Sequence, residues 1–240
     1  MNNNSPTARN AAYYTEAAPI LVAVDCIILG YDNDRLKLLL FKRKVEPFQN
    51  EWSVIGSFVN PSESVDDAAV RVLEEYTGLQ NIFMEPLGCY GAVDRDPGAR
   101  VISQAFFALI RLDEKEVQTV ETHQAHWFDL SAVPKLILDH NQMVSDTLEK
   151  LYRKARYRPI GFELLPEKFS IPQLQNLYET IYGRTLDRRN FRKKILSMDI
   201  LDKLDEKNKS SSRKGAFLYR FNQSRYQEMA EKGFDFIVSG

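Results

Sequence analysis

Hydrophobic residues recur along this chain with two different periods. The run "PILVAVDCIILGY" (Pro19 to Tyr31) is apolar and β-branched, which predicts a buried strand. "DNDR" supplies a turn, and "LKLLLFKRK" (Leu36 to Lys44) the strand that returns from it. "EWSVIGSFV" (Glu51 to Val59) predicts another short strand. From Ser64 to Thr77 the period lengthens to that of a helix. Val65, Ala68, Ala69, Val72 and Leu73 form its apolar face, and Gly78 stands where a C-terminal cap belongs. "LGCYGAV" and "ISQAFFALIRL" (Ile102 to Leu112) predict further strands, and "HQAHWFDLSAVP" leads to a last helix. The expected result is a mixed sheet with helices, all before about residue 137. Asp139 to Arg156 is a second helical stretch, with Met143, Leu148, Leu151 and Ala155 roughly on one face. It ends in the basic segment "YRKARYRP".

Past Pro159 the pattern changes. Ser170 and Gln173 form a capping box, Leu174, Leu177, Tyr178 and Ile181 a helical stripe, and Gly183 a stop. "RTLDRRNFRKKILSM" then starts a second helix almost at once, with Phe191, Ile195 and Met198 on one face and Arg189, Arg192 and Lys193 on the other. "ILDKL", a charged serine-rich loop and "AFLYRF" follow as a hairpin. A helix, a short turn, a helix and a basic-tipped hairpin outline a winged helix-turn-helix. The expected organisation is a tail over 1–19, a sheet-containing domain over 20–156 and a winged helix-turn-helix domain over 157–240, α+β in class.

Charge sharpens this division. Residues 157–240 carry 16 Lys and Arg against 11 Asp and Glu, a balance of +5, while 1–156 carry 16 against 22, a balance of −6. That asymmetry points the second part at something anionic. Cys26 and Cys89 sit in apolar sequence and are expected as buried thiols in a reducing cytosol, and the three His residues match no zinc spacing with them. No apolar run is long enough to span a membrane, and the N-terminus lacks the apolar core of a signal peptide. The expected location is the cytoplasm, with no membrane partner.

The stretch from Gly56 to Leu79 resembles the Nudix box, Gly-x5-Glu-x7-Arg-Glu-apolar-x-Glu-Glu-x-Gly-apolar. Glu63, Arg71, Leu73, Glu75, Gly78 and Leu79 match it, while Ser57, Val72 and Tyr76 replace its glycine and two of its glutamates. The resemblance implies a Nudix-like α/β/α sandwich. The family's hydrolysis of nucleoside diphosphate derivatives needs carboxylates at i, i+3 and i+4 to hold Mg²⁺. Here those positions are Val72, Glu75 and Tyr76, so no catalytic residue, metal or cofactor is expected. A pocket shaped for a sugar or nucleotide is expected to remain, lined by Lys42, Arg43, Trp52, Phe58, Asp94, Arg95, Asp96 and Gln104. In it Trp52 and Phe58 would stack on a ring, Asp94 and Asp96 would accept from hydroxyls, and Arg95 would face an anion.

The basic helix suits double-stranded DNA. Arg188, Arg189 and Asn190 open it, where a recognition helix reaches base edges, and Arg192, Lys193 and Lys194 suit bases or phosphates further along. The wing adds Lys209, Ser211, Arg213 and Lys214. "RPIGFELLPEKFSIPQLQNLYETIYGRTLDRRNFRKKIL" (Arg158 to Leu196) resembles the C-terminal region of Nudix-related transcriptional regulators. That resemblance implies a bacterial homodimer on a palindromic operator, released by a small-molecule effector. The sugar-regulating branch implies L-arabinose as effector, and the branch that regulates NAD metabolism implies ADP-ribose. The reading is a repressor that senses L-arabinose, with an ADP-ribose sensor, a hydrolase with displaced acids and a protein-binding module as alternatives.

Overall fold

The computed structural model describes residues 16–32, 34–208 and 215–232. Strand β1 (Leu21–Tyr31) is the axis of a seven-stranded mixed sheet. β2 (Leu36–Lys42) pairs with it antiparallel near Tyr31, β4 (Ile55–Phe58) pairs antiparallel with its first half, and β6 (Val101–Arg111) runs parallel along its whole length. β3 (Trp52–Ser53) and β7 (Ala125–Asp129) add to β2, and β5 (Glu85–Tyr90) to β6. Alternate side chains of β1 feed two cores, as the strand period requires. Val24, Cys26 and Ile28 face α1 (Val65–Thr77) and α2 (Glu114–Thr122); Ile27, Leu29 and Tyr31 face α3 (His140–Tyr157). Helix α1 forms as the pattern predicts. Ser64 and Asp67 close a capping box, Gly78 ends the helix at φ 71°, and Ala68, Ala69, Val72 and Leu73 are buried. Each large apolar side chain sealed there stabilises the fold by roughly 1.5–3 kcal/mol.

The third layer continues without a break. α4 (Ile171–Tyr182) and α5 (Arg188–Ser197) make the helix-turn-helix, and β8 (Phe169–Ser170), β10 (Ala216–Phe221) and β9 (Leu201–Asn208) its small sheet; α6 (Gln223–Lys232) follows. Leu174, Leu177, Tyr178, Phe191 and Ile195 belong to the same apolar cluster as the α3 side of the large sheet. Four expectations need correction. Residues 125–129 are a strand, because their alternation pairs with β2, and the lead-in to the last helix is only the 3-10 turn Leu130–Ala132. Helix α2 was not foreseen, since Val120 is its sole buried residue. β9 runs on through Asn208, where the charged loop had been placed. Cys89 is exposed on edge strand β5, and only Cys26 is a buried thiol. Among the described residues, no helix is long and apolar enough to cross a membrane.

Candidate functional site

The Nudix-like helix α1 has been rebuilt as structure. Val72 is fully buried, and the Tyr76 ring packs on Phe41 at 5.1 Å. Neither position offers a carboxylate to a cation at that face. The remaining acids are taken up by Arg71, which donates to Glu63 through Nε (2.8 Å) and Nη2 (2.6 Å), to Glu75 Oε2 (3.1 Å) and to the Phe58 carbonyl (3.1 Å). These bonds from Arg71, with a further one from the Asn60 amide, push the Glu63 carboxyl down to about 2. Glu63 is therefore an ionised, saturated partner of Arg71 that ties the loop after β4 to the helix. Among the described residues, no three His, Cys, Asp or Glu side chains stand where they could hold a metal.

A hollow opens on the other side of the sheet, floored by Asp25 on β1. Asp25 is 6% exposed. Its Oδ2 accepts from Ser103 Oγ on β6 (2.6 Å) and from Arg95 Nη2 (3.4 Å), and its Oδ1 lies 3.5 Å from His140 Nε2. Arg95 reaches across to Asp139 with two more bonds, Nε to Oδ2 (2.9 Å) and Nη2 to Oδ1 (2.7 Å). Ser53 Oγ stands 3.2 Å from His140 Nδ1. Burial pushes the His140 imidazole below its usual range, with Asp25 and Asp139 opposing, so the ring is neutral near pH 7. Ser53 Oγ gives its single proton to the Val54 carbonyl (2.7 Å), so at Nδ1 the ring donates to it. Gly56 belongs to the same floor: a Cβ there would run into Asp25 Oδ1 and stand 2.8 Å from the Val24 carbonyl.

His140 makes a testable pH dependence. Its native pKa is lowered below the unfolded value of 6.5, so below that pH the unfolded chain binds a proton that the native chain does not. Stability contributed by the neutral ring is present above about pH 6.5 and is lost as pH falls. In urea titrations from pH 8 to pH 5, wild type is expected to lose stability more steeply than His140→Gln. Parallel curves would mean that the ring takes up its proton over the same pH range in both states.

Of the expected pocket residues, Arg43, Phe58, Arg95 and Asp96 line this hollow, whose volume is about 50 Å³. Arg43 and Asp96 are half-buried, and Phe58 is 47% exposed at the rim. The other four lie outside it. Lys42 Nζ sits over the Trp52 ring at 5.2 Å, and Trp52 packs edge-on against Phe128 (4.8 Å) and His126 (5.7 Å). Asp94 is exposed, and Gln104 bonds the Ala105 carbonyl. Sequence reasoning missed Asp25, Ser53, Ser103, Asp139 and His140. Asp25 did leave a signal, as an acid inside a buried strand must find partners.

The second site is the outer face of α5. Asp187 caps the helix by accepting from the Asn190 amide (2.7 Å), and Phe191 and Ile195 anchor it, with the Phe191 ring 5.5 Å from Tyr178. Arg188, Arg189, Asn190, Arg192 and Lys193 are exposed, and Lys194 is half-buried. The turn into α5 is pinned by two residues that the sequence did not single out. Glu179 Oε1 accepts from the Leu186 amide (2.8 Å), and Gln175 Nε2 donates to the Leu186 carbonyl (3.0 Å). On the wing, Lys203 and Lys207 stand over the Phe217 ring at 3.9 and 4.5 Å. Lys209, Ser211, Arg213 and Lys214 lie outside the described residues.

Comparison with known proteins agrees with both halves. Residues 19–148 match the NUDIX domain family, and residues 161–221 match the NrtR DNA-binding winged helix domain. The ADPR responsive transcriptional repressor NtrR of Acinetobacter baylyi is 29% identical over 231 residues, spanning 94% of this chain and 92% of that protein. An ADP-ribose pyrophosphatase of Methanocaldococcus jannaschii is 40% identical over 125 residues, 52% of this chain and 71% of that enzyme. NrtR of Shewanella oneidensis, crystallised with a 27mer DNA, superimposes with a TM-score of 0.72 at 26% identity, covering 86% of this chain and 95% of that one. Its NUDIX domain alone, complexed with ADP ribose, gives 0.50 at 25% identity, covering 59% and 95%. The chain belongs to the Nudix family and carries, behind its Nudix domain, a DNA-binding winged helix domain of the NrtR kind.

Proposed function

We propose that this protein is a ligand-responsive transcriptional repressor that acts in the cytoplasm as a homodimer on palindromic DNA. Its Nudix domain, divided from the DNA-binding domain at Tyr157, senses ADP-ribose without hydrolysing it. One observation carries the reading. The same chain that turns Val72 and Tyr76 inward at the metal-holding positions presents Arg188, Arg189, Asn190, Arg192 and Lys193 to solvent on the second helix of a helix-turn-helix.

The effector preference runs against the L-arabinose expected from sequence. One relative that matches both domains and two that match the Nudix domain are named for ADP-ribose, beside a Nudix-domain relative named as a putative 8-oxo-dGTP diphosphatase. The shape of the site supports the same choice. Pockets that take a whole drug-sized ligand are roughly 300–1,000 Å³, and this half-open hollow has about 50 Å³. It suits one polar end of an elongated ligand that lies across the surface. The exposed Phe58 ring gives a stacking face, and Arg43 at the rim gives a cation for a diphosphate.

The test is fluorescence anisotropy with duplex DNA from upstream of the protein's own gene, at fixed salt. ADP-ribose is expected to weaken operator binding by about tenfold or more, within the usual 5–150-fold range of allosteric coupling. L-arabinose is expected to leave it unchanged. A response to L-arabinose alone would restore the pentose reading. Mg²⁺-dependent release of AMP from ADP-ribose would make the protein a hydrolase.

A further inference from the structure

Two elements run from the floor of the hollow to the helix-turn-helix, and they meet the same helix. The first is α3. Asp139 precedes its first turn and holds Arg95 by two hydrogen bonds, and His140 opens it against Asp25. At its far end the Ala155 carbonyl accepts from Tyr182 Oη (2.8 Å), and the Tyr152 ring meets Tyr182 edge-on at 5.1 Å. Tyr182 is the last residue of α4, immediately before the turn into α5. The second is β1. Asp25 lies in its first half; at its end Asn176 Nδ2 donates to Tyr31 Oη (3.4 Å), and in the turn beyond it Thr180 Oγ1 shares its proton between the Asn176 carbonyl (2.8 Å) and the Asp34 carbonyl (3.1 Å). Asn176 and Thr180 both belong to α4. Tyr31 and the turn after β1 thus hold the middle of α4, while α3 holds its end.

The two carboxylates that hold Arg95 are not equivalent. The side chains of Arg95 and Asp25 are 3% and 9% exposed, and that of Asp139 is 25% exposed. Separating Arg95 from Asp25 would leave the Asp25 carboxylate buried without its cation, which is costly. Separating it from Asp139 returns a carboxylate to water. An anion entering beside Arg95 competes with Asp139 and not with Asp25.

We propose that the Arg95–Asp139 ion pair is the latch of the effector response, and that its release lets α3 shift as a rod and move Tyr182, so that α5 leaves its operator-binding position against a sheet that stays fixed. Asp139 and Arg95 are positioning residues here, acting on DNA through α3. The inference rests on the hollow being the effector's site. Its test is read first in ligand-free protein, so that the two can fail separately.

The experiment is a double-mutant cycle on operator affinity in the full chain, with Asp139→Asn, Tyr182→Phe and both together. Asp139 and Ala155 are separated by 16 positions along α3, about 24 Å at 1.5 Å per residue. Sites so far apart normally act independently. A rod makes them one unit. Each single variant is expected to weaken operator binding by about tenfold, and the double variant to stay within about twofold of the weaker single. A merely structural role for Asp139 predicts fold-changes that multiply, and that result overturns the proposal, as does a silent single variant. Should Asp139→Asn fail to fold, Asp139→Glu takes its place in the same cycle. With ADP-ribose present, Asp139→Asn is expected to keep binding the nucleotide while its operator affinity no longer responds. If wild type ignores ADP-ribose while the cycle is non-additive, the latch stands and the effector assignment falls.

Discussion

Replacing Arg188 and Arg189 together by alanine is expected to remove specific operator binding and leave the fold intact. The two guanidinium groups stand exposed on the first turn of α5. A side chain there reaches base edges, and a bidentate Arg–guanine contact contributes roughly 1–3 kcal/mol. The double variant should therefore bind its operator at least about thirtyfold more weakly at fixed salt. The helix itself is secured elsewhere. Asp187 caps it, Phe191 and Ile195 bury its inner face, and alanine is a better helix former than arginine. The thermal midpoint should not move. Lys193→Ala, one turn on, should instead weaken specific and non-specific DNA alike and reduce the salt slope by about one phosphate's worth. An Arg188→Ala/Arg189→Ala protein that binds its operator within threefold of wild type would move the DNA face away from the start of α5.

That face was legible because everything defining it is local. The Ser170–Gln173 capping box, the Leu174–Ile181 stripe, Gly183 and the opposition of Phe191 to Arg192 all lie within a few turns of chain. The altered Nudix box was legible for the same reason. The hollow was not, because its members come from β1, β3, β6, the loop bearing Arg95 and the start of α3, and no period links Asp25, Ser53, Ser103, Asp139 and His140. Neighbours in sequence also part company there. Arg43 lines the hollow, whereas Lys42 turns to the Trp52 ring. Helix α2 escaped because it buries only Val120, although Asp113 and Glu116 form a capping box that a search by caps would have found.

Asp25 is where a single substitution should cost the fold most. Asp25→Ala removes the acceptor of Ser103 Oγ and one of the two carboxylates facing Arg95, whose side chain is only 3% exposed. Losing one partner of a buried ion pair typically costs about 3–5 kcal/mol, because the remaining charge stays desolvated. Asp139 still holds Arg95 on its other side, which sets the expectation at the lower end, about 3 kcal/mol. For a chain of this size that is a fall of roughly 6–12 °C in thermal midpoint. Asp25→Asn keeps an oxygen for Ser103 and should lose less. Gly56→Ala attacks the same point from β4, since its Cβ would occupy the space of Asp25 Oδ1 and crowd the Val24 carbonyl. Because the two lesions share one space, Gly56→Ala combined with Asp25→Ala should cost less than the two apart. Urea denaturation of the four proteins at pH 7 decides it. Should Asp25→Ala come within 1 kcal/mol of wild type, Asp139 alone would suffice to hold Arg95. The hollow would then lack the rigid floor against which a latch at Asp139 can work.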